Sequence, residues 1–66
     1  SRAHAARERA YAFIATMAGD RAGFEEASRA LFAGDDVRFA EHSRAWPEDI
    51  RVHAAKLLAG ADEADN

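Results

Sequence analysis

Residues Met17 to Leu31 (MAGDRAGFEEASRAL) run without a gap into Phe32 to Trp46 (FAGDDVRFAEHSRAW), and the two blocks agree at 8 of 15 positions. Each opens on Ala-Gly-Asp. Glycine most easily takes the left-handed backbone that closes a helix, and aspartate accepts hydrogen bonds from the unpaired amides of a helix start. Gly19 with Asp20, and Gly34 with Asp35, therefore read as two stop-and-restart signals 15 residues apart. A chain punctuated this often folds into short helices that turn back on one another. The alternative reading of Asp20 and Asp35 as paired catalytic carboxylates is the weaker one, because capping already accounts for a glycine followed by an aspartate. Two units of this length also fall short of a solenoid, which needs three or more larger repeats.

The spacing of apolar residues predicts four helices, at about 3–18, 22–32, 36–45 and 47–59. In the first, Ala3, Ala6, Ala10, Phe13, Ile14 and Met17 recur at steps of three and four and mark one face. The second carries Phe24, Ala27, Leu31 and Phe32 inward, with Glu25 and Arg29 as an outward pair. The third presents Phe39, His42 and Trp46. Phe24 and Phe39, each four residues after its aspartate, are equivalent core anchors, and Ser28-Arg29 and Ser43-Arg44 equivalent turns. Pro47 suits the first position of the last helix, where its missing N–H is no loss, and Glu48 and Asp49 complement the dipole there. Ile50, His53, Ala54, Leu57 and Leu58 form the inner face, and Gly60 is expected to end the helix.

Of 32 apolar residues 18 are alanine, so the core is thin and the helices must approach closely. With no alternating pattern and no β-branched runs, the class is all-α: a compact bundle of four short helices joined by Gly-Asp and Trp-Pro turns. Residues 1–60 form its single domain and 61–66 an acidic, disordered tail. The chain opens on Ser1 instead of methionine, as expected of the C-terminal fragment of a longer protein.

The absence of cysteine excludes disulfides and thiolate metal sites. Lacking also an apolar run of membrane-spanning length and a signal peptide, the chain is expected in the cytoplasm. The net charge of −3 comes from Asp62, Glu63 and Asp65, which leaves the body neutral, with 9 basic residues against 9 acidic ones. That balance disfavours a phosphate-binding groove; the nucleic-acid alternative rests on Arg2, Arg7 and Arg9 at the basic end of the first helix. His42, His53 and Asp49 lack the spacing of a metal motif and read as packed residues. Ser1, Ser28 and Ser43 have no matched base, so neither catalysis nor a cofactor is expected.

Trp46 reads as core, wedged at the turn before Pro47. Tyr11 is different: with Ile14 and Ala18, and Arg7 beside them, it makes a second apolar edge, wider than a lone bundle helix needs. Arg7, Tyr11, Ile14 and Ala18 are therefore the candidate surface for self-association or for another protein domain.

The run from Tyr11 to Phe39 (YAFIATMAGDRAGFEEASRALFAGDDVRF), followed by Trp46 and Pro47, resembles the C-terminal portion of an uncharacterised bacterial family, domain of unknown function twenty-two thirty-nine. The likeness covers about residues 7 to 59. It departs at Ala22, where the family often has proline, and over Ala40 to Ser43, usually more aliphatic than His42 allows. The resemblance implies the same helical fold, and an upstream segment similar to a ribbon-helix-helix DNA reader that this chain does not contain. No catalytic or ligand residue carries over. The expectation is a non-catalytic accessory module in a regulatory bacterial protein.

Overall fold

The computed structural model describes the backbone of residues 1–64 and the side chains of residues 1–61. Four helices follow in order, α1 (Arg2–Ala18), α2 (Phe24–Ala33), α3 (Asp36–His42) and α4 (Glu48–Ala64), with no strand among the described residues. The fold is all-α.

Ser1 starts α1 by accepting a hydrogen bond on Oγ from the His4 amide at 3.2 Å. The first Gly-Asp pair then behaves differently from its sequence reading. Gly19 closes α1 with right-handed φ −62°, and Asp20 is exposed and does not cap α2, which begins at Phe24. The left-handed residue is Gly23, at φ 85°. Two turns, Arg21 N–H to the Ala18 carbonyl and Phe24 N–H to the Arg21 carbonyl, fill the gap. The repeat itself explains this displacement: Gly23 corresponds to Arg38 in the second unit, and an arginine carried helically there lets α3 start three residues earlier in register. Glycine at 19 answers a different need, since a Cβ there would collide with the Ala15 carbonyl oxygen.

At the second pair, Gly34 is left-handed at φ 71°. Its amide donates to the Leu31 carbonyl at 3.2 Å and that of Asp35 to the Ala30 carbonyl at 2.9 Å, the bond pattern of a Schellman cap. The Asp35 side chain accepts from the Arg38 amide at 3.0 Å, which opens α3. The two short helices share one further device: Ser28 Oγ donates to the Phe24 carbonyl at 2.8 Å and Ser43 Oγ to the Phe39 carbonyl at 2.7 Å. This back-bonding slightly destabilises and often bends a helix. In the second unit it coincides with termination, and α3 stops at His42 rather than at 45.

Pro47 lies one residue before α4, and its carbonyl accepts from the Arg51 amide at 3.1 Å. The helix does not end at Gly60. Ala61 is helical and only 2 % exposed, packed with Ala3 and Ala6, and a Cβ on Gly60 would lie 3.8 Å from that of Ala6. Glycine here lets two helices close on each other. The expected disordered tail from 61 is thus helical through Ala64; residues 65 and 66 lie outside the described residues.

α1 is the central helix. It runs antiparallel to α4, with Ala6 by Gly60 and the Phe13 ring 4.6 Å from that of His53, and antiparallel to α2, with His4 by Phe32 and Tyr11 by Phe24. Its buried residues are Ala3, Ala6, Ala10, Ile14 and Ala18. Ile14, Leu31, Phe39, Trp46 and Ile50 fill the centre, each stabilising by about 1.5–3 kcal/mol through removal from water. Trp46 stands edge-on to Phe39 at 6.1 Å and donates from Nε1 to the Ala22 carbonyl at 2.9 Å, tying the two inter-helix turns together. Leu31, its counterpart in the repeat, has no such reach.

Candidate interaction surface

The edge of α1 expected to dock a partner is covered from within the chain. Ile14 and Ala18 are both 0 % exposed. Tyr11 rests against Phe32 at 5.4 Å and Phe24 at 6.1 Å and stays 37 % exposed. The Arg7 guanidinium lies by Gly34, where a Cβ would come within 3.3 Å of its Nη2. Ile14 and Ala18 belong to the core, Tyr11 lies on α2, and Arg7 lies beside the turn that follows α2. A helix packed on two neighbours needs a wider apolar face than one packed on a single neighbour, so the width that suggested a docking edge reflects the central place of α1.

Several other expectations shift with it. Phe32 and Met17, read as inward, are exposed by 42 % and 48 %. Arg29 pairs with Glu26 at 3.8 Å instead of with Glu25, and this solvated pair contributes little. His42 and His53 do not meet: His53 is exposed against Phe13, and His42 lies beside α2 near Glu26 and Arg29. No group of three metal-binding side chains exists among the described residues. Arg2 and Arg9 are exposed while Arg7 is turned half-buried toward Gly34, so the three arginines do not make one patch.

What the sequence reading missed lies on the opposite side. α1 packs on α4, α1 on α2, and α2 on α3, but among the described residues the backbones of α3 and α4 nowhere approach closely. The fourth side of the bundle is open. A shallow groove of about 470 Å³ follows it, with Phe39 and Ala40 of α3 and Ser43 just beyond them on one wall and Val52, Ala55, Leu58 and Ala59 of α4 on the other. Phe39 is the floor, and Val52 is 46 % exposed. Ser43 to Pro47 carries the chain from α3 into α4 at one end of the groove. Arg51 lines the turn end, held by a bond from Nε to the Trp46 carbonyl at 3.0 Å. Asp36 lines the other end, at the start of α3. One signal was available in the sequence: Val52, Ala55 and Ala59, at helical spacing, lie apart from the inner face of α4.

These features define a small helical bundle with one uncovered apolar side and, among the described residues, no group of side chains that could hold a metal ion. Within that class the chain belongs to the family described as "Uncharacterized protein conserved in bacteria (DUF2239)", whose family model matches residues 1–58. No curated protein and no solved structure matches it. No helix among the described residues is long and apolar enough to cross a membrane.

Proposed function

We propose that this domain is a non-catalytic interaction module, making contact with a second protein surface, its own or another's, in a bacterial protein of regulatory type. The observation that carries the reading is the open α3/α4 side. Three of the four helix pairs expected of a four-helix bundle are closed, and the fourth leaves Val52, Ala55 and Ala59 opposite Ala40 over an aromatic floor. An apolar strip of this kind, rimmed by polar groups, is the form of a helix-binding or helix-pairing surface.

Light scattering from micromolar to millimolar concentration tests the proposal, with the chain alone and mixed with whatever further segments its protein has. Concentration-dependent mass, or a complex in the mixture, is expected. A strict monomer in both settings refutes it. Affinity for duplex DNA that falls steeply with salt would replace it with the nucleic-acid reading, since neutralised phosphates release counterions.

A further inference from the structure

We infer that the occupant of the α3/α4 side is a second copy of this chain, related by a two-fold axis normal to the groove. This rests on the interaction reading above and assigns it a surface and a partner.

Charge and symmetry point to this occupant. A two-fold interface is isologous, so whatever stands at one end of the surface must complement what stands at the other. The groove meets that condition. Asp36 stands at one end, Arg51 at the other, and the middle is mostly apolar. A two-fold axis through the middle of the groove exchanges both its ends and its walls, bringing Asp36 of each copy against Arg51 of its mate. Two ion pairs then flank a contact of Ala40 of each copy with Val52 and Ala55 of its mate. Among the described residues neither Asp36 nor Arg51 takes part in an ion pair within the chain. Arg51 is nonetheless aimed, because its Nε bond to the Trp46 carbonyl fixes the side chain at the turn end and less entropy is lost on pairing. Alanine on both walls allows helix axes to approach to about 8 Å, the near limit for packed helices.

The other exposed apolar group, Tyr11 with Phe32, lacks this property. Beside it His4 and Glu8 already lie 3.4 Å from each other on the same helix. A surface as short as the α3/α4 side belongs with small, transient interfaces, so dimerisation is expected in the micromolar to millimolar range.

Sedimentation equilibrium of the 66-residue chain and its charge reversals provides the test. Asp36→Arg alone places like charges at both ends and is expected to weaken dimerisation at least tenfold; Arg51→Glu alone does the same. Mixed in equal amounts, the two variants restore both opposite-charge contacts in a heterodimer, and dimerisation should return to within about threefold of the parent. Circular dichroism of each variant verifies the fold, and Asp36→Asn, with a smaller loss, serves where Arg51→Glu fails to fold. Single variants that associate as tightly as the parent, or a mixture of folded variants that stays monomeric, overturn this surface while leaving a general interaction role standing. A parent chain that is monomeric alone but binds another segment of its protein overturns the second copy as occupant. Monomer behaviour in every setting removes both readings.

Discussion

Replacing Gly23 by alanine separates two physical costs that usually travel together. Gly23 adopts φ 85°, and a Cβ built there runs into the carbonyl oxygen of His42, with the carbonyl carbon only 3.2 Å away. Left-handed backbone costs an alanine about 1–2 kcal/mol. The collision adds more, because the obstacle is backbone at the end of α3 and cannot swing aside; together the loss should reach about 3–5 kcal/mol. Gly34 is the control. It too is left-handed, at φ 71°, but the nearest atom to its Cβ is Arg7 Nη2 at 3.3 Å, the end of a flexible side chain. Gly34→Ala should therefore show the backbone term nearly alone, about 1 kcal/mol, or about 4–8 °C in Tm for a domain of this size. A chain of this length is stable by only about 3–10 kcal/mol, so Gly23→Ala should melt at least 15 °C below the parent or not fold cooperatively. Asparagine makes the separation sharper. It tolerates the left-handed region, so Gly34→Asn should recover most of the alanine loss, whereas Gly23→Asn should not, since it carries the same Cβ. Thermal melts by circular dichroism measure all four. If Gly23→Asn melts within a few degrees of the parent, the collision with α3 has been misjudged.

Asp35→Ala should lower stability by about 1 kcal/mol through loss of the cap on the Arg38 amide, while Asp20→Ala stays within about 0.5 kcal/mol; urea titrations of the pair decide whether the two Gly-Asp junctions differ as described. Trp46→Phe removes the donor to the Ala22 carbonyl and should cost about 1–3 kcal/mol, with equal loss from Trp46→Tyr arguing that the bond is not what matters. Ile14→Ala, at a fully buried position on α1, should cost about 2–5 kcal/mol in the same urea assay. A near-neutral result there would return Ile14 to the surface. Gly60→Leu tests the close seam between α1 and α4: overpacking should cost about 1–3 kcal/mol, against a gain if α4 ended before it.

The element types were legible because they depend on local chemistry. Ala-Gly-Asp at 33–35 is a complete stop-and-restart signal in three residues, and Pro47 with two acids marks a helix start wherever it occurs. The first junction was misread for a reason also present in the sequence: Gly23 stands where the second unit has Arg38, and a glycine three residues past the expected cap carries the left-handed turn itself. Helical periodicity reports how wide an apolar face is, but not which neighbour covers it. That is why Tyr11, Ile14 and Ala18 suggested a partner when α2 already occupies that side. Gly60 shows the reverse failure, since glycine as a helix end and glycine as a close-packing point look alike until the facing Ala6 is known. The groove was least legible of all. It depends on α3 and α4 diverging over Phe39, an angle that no spacing encodes.

The central position of α1 has a consequence for the order in which the fold is completed. Its most extensive contact is with α4, the last of these four helices in chain order, so Ala6 must await Gly60, whereas α2 and α3 can settle against each other from neighbouring stretches of chain. During elongation on the ribosome, the alanine seam of α1 stays in water until α4 has emerged and folded back. Interruptions of synthesis between Trp46 and Gly60 would leave the first three helices made and the seam of the fourth unmatched.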